Sequence, residues 1–453
     1  MVGLTTFALI CPILHGSSIN FKVNINLPVL TEHRNLRYIT VTALYFAQGI
    51  QLGLMNVAIP AYLAANGISP AMVGSFIGAS LLPWSLKFFC APLMDRFTYL
   101  PLGRRRPWIL VGLVGAFAGY VSMSLVADPL NNLVTLTICA AIASAFTAIL
   151  DVAVDGMAIE VLPVEEQPRA NGFMWGGKVI GSAVTAAGAA YLLNHWGMPR
   201  TFFTIGIVVM GFGLFPILFR ERSGEKLLPW TAGEVSAFAL NLQLENWSQI
   251  FTKLWKAISL PSSLVLLLFG FLNGITYGLF DAIMPVFTVQ HLDWSDTNFS
   301  NLAATAGIIG GLTGMLIGGL VIEYIGRIRS IQFFLVCYLA VVLVMGLVQS
   351  QWNHEFVIHT FAICIYTLRT LILIALFALA MSFCWKPIGA TQFAVYMAIA
   401  NLGISSGAAI LGPLERFLDF SQLFYALGFF TVLILCLIFL IDPERHNLRL
   451  KEL

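Results

Sequence analysis

The chain has 453 residues, of which 58% are hydrophobic and only 10% charged, and its formal net charge at pH 7 is +2. With a mean hydropathy of +0.86, this composition excludes an ordinary soluble globular domain and indicates an integral membrane protein. The seven cysteines have no zinc-type spacing, so no metal ion or other cofactor is expected. Nothing in the charge pattern indicates a nucleic-acid partner.

Apolar segments long enough to cross roughly 30 Å of hydrocarbon as helices recur along the whole chain. We count twelve, expected near residues 38–63, 70–92, 107–127, 133–157, 170–193, 201–219, 262–290, 298–322, 330–349, 356–383, 388–412 and 421–441. An even number of spans places both termini on one side of the membrane. Nineteen of the 24 Lys and Arg residues lie in the terminal segments and in the loops on that side, which predicts that both termini are cytoplasmic.

An internal repeat divides the chain into two halves. The first span reads "QGIQLGLMNVAIP" (Gln48–Pro60) and the seventh reads "NGITYGLFDAIMP" (Asn273–Pro285), and their glycines and final proline align without a gap. Repeats of this kind are typical of transporters that bind substrate between the halves, near the bilayer midplane. The predicted domains are a cytoplasmic N-terminal extension (1–36), a six-helix bundle (37–220), a cytoplasmic linker with an amphipathic helix (221–260), a second six-helix bundle (261–441) and a cytoplasmic tail (442–453).

A second repeat lies in the loops after spans two and eight, where "APLMDR…GRRR" (Ala91–Arg106) matches "GLVIEYIGRIR" (Gly319–Arg329). This pair resembles the loop signature of the major facilitator superfamily, although Ala91 replaces its first glycine. The resemblance implies an all-α membrane protein of twelve transmembrane helices in two pseudo-symmetric six-helix bundles. It also implies a cytoplasmic gate that breaks when the halves rock. The predicted gate residues are Lys87, Asp95, Arg96, Gly103, Arg104, Arg105, Arg106, Glu323, Gly326 and Arg327.

Longer segments narrow the resemblance to one branch of that superfamily. "LPWSLKFFCAPLMDRF" (82–97), "GRRRPW" (103–108), "DVAVDGMAIEVLP" (151–163) and "ATQFAVYMAIANLG" (390–403) are similar to the peptide–acetyl-CoA transporter branch, which includes muropeptide permeases, acetyl-CoA carriers and siderophore importers. This resemblance implies a location in the bacterial cytoplasmic (inner) membrane. It does not name the substrate, because these segments recur in members with unrelated cargo.

Two aspartates on the fourth span, Asp151 and Asp155, are four residues apart and therefore share a helix face. Lys87, on the second span, is expected at a similar depth. Ionisable groups inside a membrane are costly unless they are paired or hydrated, so one of two acids beside a single lysine could carry a proton. A static cluster tied to the gate fits the same residues, and the sequence leaves both interpretations open.

Arg369 lies near the middle of the tenth span, where an unpaired guanidinium would cost several kcal/mol. It needs either Asp281, on the seventh span, or an anionic ligand, to which its planar fork is suited. We therefore predict a substrate anchor or a structural ion pair at Arg369. Asp281 is the predicted proton carrier, because its partner in the repeat is the neutral Asn56.

Other polar residues within the spans are candidates for substrate contact. Lys178, beside Trp175 on the fifth span, fits an anion site or an ion pair with Asp151 equally well. A repeated polar band near the middle of the first and seventh spans completes the predicted substrate site with Gln48, Gln51, Asn273 and Tyr277.

The expected function is secondary active transport of a small anionic or amphipathic metabolite by alternating access, driven by protons. The expected partners are that substrate, protons and the lipid bilayer, and the chain is expected to act as a monomer. A membrane sensor that moves no substrate, and a facilitator or exchanger without a proton step, are the alternatives. No Walker loop, HExxH or GxSxG motif occurs, so no enzyme activity is expected.

Overall fold

The computed structural model describes residues 27–244 and 246–452. Within them the regular elements are helices, apart from an isolated β-bridge between Val29 and Arg220. Most of the predicted N-terminal extension, residues 1–26, lies outside the described residues. The all-α class predicted from the sequence is confirmed.

Six membrane-crossing segments, which we number spans 1–6, form the first half. Spans 5 and 6 belong to one hydrogen-bonded helix that is broken at Gly197, where φ is 73°. The segments are Arg34–Gly53, Leu54–Ala58 (a π-helical turn) and Ile59–Ala65 for span 1; Pro70–Leu86, Lys87–Phe89 (3₁₀) and Cys90–Arg96 for span 2; Arg106–Ser124 for span 3; Leu133–Val161 for span 4; and Gln167–Gly211 followed by Leu214–Leu218 for spans 5 and 6.

The second half repeats this arrangement in spans 7–12, after a linker that contains the short helices Ala237–Leu242 and Trp247–Ile258. A final helix, Pro443–Glu452, follows span 12. The segments are Pro261–Pro285 and Val286–His291 (π) for span 7; Asp296–Thr313, Gly314–Gly318 (π) and Gly319–Ile325 for span 8; Arg327–Leu347 for span 9; Glu355–Ser382 for span 10; Gly389–Glu415 for span 11; and Phe420–Ile438 for span 12. Short 3₁₀ turns lie at Leu100–Leu102, Val164–Glu166, Gln349–Gln351 and Lys386–Ile388.

Ten helical segments in the described residues are long and apolar enough to cross a membrane. One of them, Val164–Leu218, has 55 residues and makes two crossings because the chain turns at Gly197. The helical run of span 1 supplies the remaining crossing; Gln48 and Gln51 make its middle less apolar than the other spans. The twelve predicted spans are therefore present.

The sequence explains where several of these helices begin. The Ser69 hydroxyl accepts a hydrogen bond from the Met72 N–H at the start of span 2, and Ser295 caps span 8 in the same way. Asp419 and Gln422 form a reciprocal capping box at the start of span 12. Each cap satisfies backbone donors that have no partner within the helix.

The aligned glycines of the repeat let two pairs of helices approach closely. A methyl group added to Gly49 of span 1 would lie 2.1 Å from the carbonyl oxygen of Lys178 in span 5. A methyl group on Gly274 of span 7 would lie 2.2 Å from the carbonyl oxygen of Ala400 in span 11. The two halves are therefore built on the same backbone contact, and Lys178 and Ala400 occupy equivalent positions.

The halves meet along two seams, spans 2 and 4 against span 11 and span 5 against spans 8 and 10. In the first seam, span 2 contacts span 11 through its Lys87–Arg96 section. In the second, a methyl group added to Gly172 of span 5 would lie 2.8 Å from the carbonyl oxygen of Gly314 in span 8, and one added to Gly176 would lie 2.3 Å from the side chain of Met315. Both seams are closed toward the side that carries Arg104–Arg106, which we call the arginine-rich face.

Candidate functional site

A buried charge cluster closes the arginine-rich face. Asp95, at the end of span 2, receives a hydrogen bond of 2.5 Å from Arg105, and Arg104 lies 3.6 Å from the same carboxylate oxygen. Glu160, at the end of span 4, accepts from both arginines at 2.6–2.8 Å. These four side chains are fully buried. Burial lowers the pKa of Arg104, whereas for Arg105 the carboxylates of Glu160 and Asp95 outweigh burial and raise the pKa.

Two members of this cluster reach across to the second half. The free oxygen of Asp95 accepts hydrogen bonds from the backbone N–H and the hydroxyl of Thr391, at 2.9 and 2.6 Å. Arg104 donates to the carbonyl oxygens of Lys386 and Pro387, at 3.0 and 2.6 Å. Asp95 and Arg104 thus tie span 2 and its loop directly to the start of span 11. Such bonds hold one face of the protein closed until the halves separate.

Glu221 holds the backbone of the Arg104–Arg106 loop. Its carboxylate accepts the backbone N–H groups of all three arginines at 2.7–3.0 Å. The neighbouring Gly103 has φ 100°, and an added methyl group would meet the carboxylates of Glu221 and Glu225 at 2.9–3.0 Å. Glycine is therefore required at this position for both its backbone conformation and its lack of a side chain.

The second loop of the repeat, around Glu323, was predicted to match the Asp95 cluster. It forms a contact between the halves that is more exposed than that cluster. Glu323, near the end of span 8, pairs with Arg169 of span 5 at 2.9 Å and with Arg34 at 3.2 Å. Arg327 donates to the carbonyl oxygen of Val164 in the first half. Gly326 has φ 93° at the turn before span 9. The acid that ends span 8 thus contacts span 5, just as Asp95, which ends span 2, contacts span 11.

Arg96 and Arg106, like Arg105, make no hydrogen bond or ion pair to the second half among the described residues. The guanidinium of Arg96 lies over the rings of Phe97 and Trp247, at 4.8 and 4.6 Å. Arg106 donates its side-chain hydrogen bonds to carbonyl oxygens of the first half and the linker, at Pro216, Leu102, Lys226 and Leu227. Arg106 therefore fastens the linker to the loop, while Arg96 packs against the amphipathic helix.

A second polar cluster lies inside the first half, between spans 1, 2, 4 and 5. Asp151 pairs with Lys87 at 2.6 Å and with Lys178 at 3.4 Å. Asp155 accepts a hydrogen bond from the Tyr45 hydroxyl and makes no ion pair within the described residues. Lys87 therefore belongs to this intramembrane cluster, and its ammonium also lies 3.6 Å from the sulfur of Met397 in span 11.

The third cluster lies in the second half, around Arg369. Its guanidinium is 6% exposed, pairs with Asp281 at 2.7 Å and lies 3.4 Å above the ring of Tyr277. Asp281 is 42% exposed, so the pair is buried at its arginine end and open at its acid end. Two nitrogens of Arg369, Nε and Nη2, find no hydrogen-bond acceptor among the described residues. Beside it lies a cavity of about 10 Å³, lined in part by Asn273 and Tyr277 and close to the size of one water.

The polar residues predicted on span 1 differ in their hydrogen bonding. Gln51 accepts a hydrogen bond from Trp84 at 3.2 Å and donates to Ser144 at 2.5 Å. Gln48 is fully buried, and its amide oxygen and nitrogen have no partner among the described residues. Trp175 stacks on Phe377 of span 10, with ring centroids 5.4 Å apart, which links the two halves near the centre of the bundle.

Sequence reasoning missed four residues that complete these clusters: Tyr45, Glu160, Glu221 and Thr391. Glu160 and Thr391 lie within segments quoted for the family resemblance, but spacing along one helix does not show which other helix a side chain will face. Glu221 was treated as part of a linker, although its position next to the span 6 terminus brings it under the arginine loop.

Two six-helix halves, joined at one face by polar contacts and carrying charged clusters inside the membrane region, form the architecture of a membrane transporter. The family model described as "Major Facilitator Superfamily" matches residues 41–413, and the chain belongs to that family. The fold class and family resemblance predicted from the sequence are confirmed.

Several named proteins are similar to this chain. It is 22% identical to "Putative transporter AmpG 4" of Rickettsia conorii, over 86% of this chain and 93% of that protein. It is 23% identical to "Anhydromuropeptide permease" of Escherichia coli strain K12, over 79% of this chain and 70% of that protein. A crystal structure of a bacterial homologue of the iron transporter ferroportin in an outward-facing state shares the fold, with a TM-score of 0.66, 13% identity and coverage of 90% and 99% of the two chains.

Proposed function

We propose that this transporter couples the import or export of a small anionic or amphipathic metabolite to protons. The muropeptide class is the first candidate, because two relatives similar over most of this chain are named for AmpG and for anhydromuropeptide transport. The observation that carries the proposal is the buried Arg369 guanidinium, which keeps two nitrogens without an acceptor among the described residues, beside a cavity about the size of one water.

Arg369 is the proposed anchor for the anionic group of the substrate. A buried guanidinium with unused donors gains substantially from a carboxylate or phosphate oxygen, since its hydrogen bonds to a charged acceptor are strong. Asp281 occupies one side of this guanidinium and leaves the other open. Tyr277 supports the guanidinium from below through ring contact at 3.4 Å, which keeps it in a fixed orientation.

Asp281 is the proposed coupling acid. Protonation would remove the negative charge that pairs with Arg369, and the guanidinium would then favour the substrate anion. Substrate and proton would therefore bind together, which is the linkage that a symporter requires. The 42% exposure of Asp281 gives protons access to this carboxylate without passage through the closed arginine-rich face.

Asp155 is the proposed second proton site. Asp151 forms ion pairs with both neighbouring lysines. Asp155 accepts a hydrogen bond from the Tyr45 hydroxyl and forms no ion pair among the described residues. A proton on Asp155 would remove a buried carboxylate charge that has no ion-pair partner among the described residues. Because Lys87 also touches Met397 of span 11, a change of charge here would reach the seam between the halves.

The proposed orientation places the arginine-rich face in the cytoplasm, with both termini, in a bacterial inner membrane. The domain boundaries predicted from the sequence and a monomeric state belong to the same proposal. The structure is then an outward-open or occluded state, since the contacts that join the halves lie on the arginine-rich face. Alternating access would break Asp95–Thr391 and Arg104–Pro387 together.

The proposal is tested with purified protein in liposomes, using a radiolabelled anhydromuropeptide and an imposed pH gradient. We expect accumulation above the external concentration that collapses when a protonophore removes the gradient. Uptake that only reaches equilibrium and ignores the gradient would establish a facilitator or exchanger. Binding without uptake would instead establish a sensor. Liposomes that contain the Arg369→Ala variant should show neither binding nor uptake, with the exposed Arg200→Ala as the matched control.

A further inference from the structure

The ammonium group of Lys178 lies inside a cage of three aromatic rings. Its nitrogen is 4.7 Å from the ring centre of Trp84, 5.3 Å from that of Trp175 and 5.4 Å from that of Tyr45. The three rings come from spans 1, 2 and 5, so the cage is built by the packing of three helices of the first half. We refer to Tyr45, Trp84 and Trp175 as the aromatic cage.

Neutralising Asp151 does not require this cage. Lys87 already holds one oxygen of Asp151 at 2.6 Å, whereas Lys178 is 3.4 Å from the other. Lys87 makes the tighter ion pair with only one ring nearby, Trp84 at 5.6 Å. The ammonium group of Lys178 is therefore surrounded by three rings and makes only one long ion pair, with Asp151.

The chemistry of the cage is that of a receptor for organic ammonium groups. Cations are attracted to the faces of Trp and Tyr rings within about 6 Å of their centres, and several rings around one cation form a recognised ammonium site. Asp151 and Asp155 add negative charge on the same side of the bundle. In this state the protein fills that site with its own side chain.

A hydrogen-bond donor without an acceptor lies beside the cage and indicates which group of a ligand would lie next to its ammonium. The indole Nε1 of Trp175 is buried and has no acceptor among the described residues. The same ring stacks on Phe377 of the second half, so it lies where the halves meet. A carbonyl oxygen next to an amino group would satisfy this donor and also bridge toward the second half.

We propose that the aromatic cage is the subsite for a primary ammonium group of the substrate, and that Lys178 occupies it as an internal cation when substrate is absent. The neighbouring carbonyl of the substrate accepts from Trp175, and its anionic group binds Arg369 in the second half. The substrate is then an amino-acid-like or peptide-like compound with a free amine and an acid. This assignment rests on the proposed function for the path of the substrate, but ammonium binding is measured without transport.

The test removes the internal cation and offers a free one. Full-length protein in detergent is titrated with n-propylammonium chloride, against sodium chloride at equal ionic strength, and affinity is obtained from the rise in unfolding temperature. Lys178→Ala should bind n-propylammonium at least tenfold more tightly than the wild type. Adding Trp84→Leu to that variant should abolish the gain. Lys87→Ala, which removes the other lysine on Asp151, is the matched control and should show no gain.

A second variant guards against misfolding of Lys178→Ala. Lys178→Gln keeps a donor toward Asp151 and a similar volume, so it should fold as the wild type does; because its uncharged amide still occupies part of the cage, its gain in affinity should be smaller than that of Lys178→Ala. Equal affinity in wild type, Lys178→Ala and Lys178→Gln would overturn the cage assignment, as would an equal gain in Lys87→Ala. A gain in affinity in protein that moves no muropeptide in liposomes would uphold the cage and count against the proposed function alone.

Discussion

Thr391, at the start of span 11, gives both its backbone N–H and its hydroxyl to a single oxygen of Asp95, at the end of span 2. The two residues belong to different halves, and both are 2% exposed or less. The bond is therefore dry, charge-assisted and dependent on the closed arrangement of the arginine-rich face. It is one of several contacts that join the two halves on this face.

Thr391→Val removes the hydroxyl while retaining the side-chain shape. A hydrogen bond to a charged group contributes about 1.5–3 kcal/mol, so the ratio of closed to open arginine-rich face should fall roughly tenfold or more. Distances between spin labels at positions 165 and 444 measure this ratio. Thr391→Ser should restore it, and Thr147→Val, whose hydroxyl bonds within its own helix, should leave it unchanged. An unaltered distance distribution in Thr391→Val would contradict this role.

Gly278→Ala should strongly destabilise the second half. The added methyl group would lie 1.9 Å from the carbonyl oxygen of Ile404, so span 7 would have to move away from span 11. Overpacking of this kind costs about 1–3 kcal/mol, which a lower unfolding temperature in detergent would report. Gly307→Ala is the control, because nothing lies within 4 Å of its added methyl group and alanine favours a helix. Equal unfolding temperatures for the two variants would contradict the packing account.

Glu225 should make stability depend on pH. Burial, followed by repulsion from Glu221, raises the pKa of Glu225 to about 7. The folded protein holds this proton more tightly than the unfolded chain does. Its stabilising contribution is therefore complete below about pH 4.5, the ordinary range of a glutamate, and is lost as the pH rises through 7.

Glu225→Gln should remove this part of the pH dependence. Between pH 5 and pH 8 the wild type should lose about 2–3 kcal/mol more stability than the variant, measured by chemical unfolding in detergent. Glu234→Gln, in an exposed part of the same linker, is the matched control and should follow the wild type. Parallel pH profiles for wild type and Glu225→Gln would show that Glu225 does not hold a proton at neutral pH.

Arg369→Lys separates charge from geometry at the proposed anchor. Lysine keeps the positive charge near Asp281 but lacks the two spare guanidinium nitrogens and the planar face that rests on Tyr277. Affinity for an anhydromuropeptide should fall roughly 10- to 100-fold, as expected for the loss of about 1.4–3 kcal/mol, while the unfolding temperature changes little. Tight binding by Arg369→Lys would show that only the charge matters.

The fold was largely predictable because the features that specify it are local in sequence. Apolar length sets the spans, and the repeat of Gly49 and Gly274 reveals the two halves before any contact is known. The pairing of Arg369 with Asp281 was also foreseen as one of two options, since a buried guanidinium restricts the choice of partner.

The neighbours of individual side chains were less predictable. The sequence did not reveal that Lys178 enters an aromatic cage or that Asp95 reaches Thr391. These contacts join residues far apart along the chain, and helix periodicity reports only which face a residue occupies. Glu160 illustrates the limit, because its helix was identified correctly but its two arginine partners were not.

The most direct test of proton coupling is uptake of a radiolabelled anhydromuropeptide by Asp281→Asn in liposomes under an imposed pH gradient. The variant should lose accumulation above equilibrium but keep exchange of substrate across the membrane, because asparagine leaves Arg369 free to bind while it cannot carry a proton. Asp293→Asn, in an exposed loop, should behave as the wild type does. Accumulation by Asp281→Asn at the wild-type level, abolished by a protonophore, would contradict the assignment of Asp281 as the coupling acid.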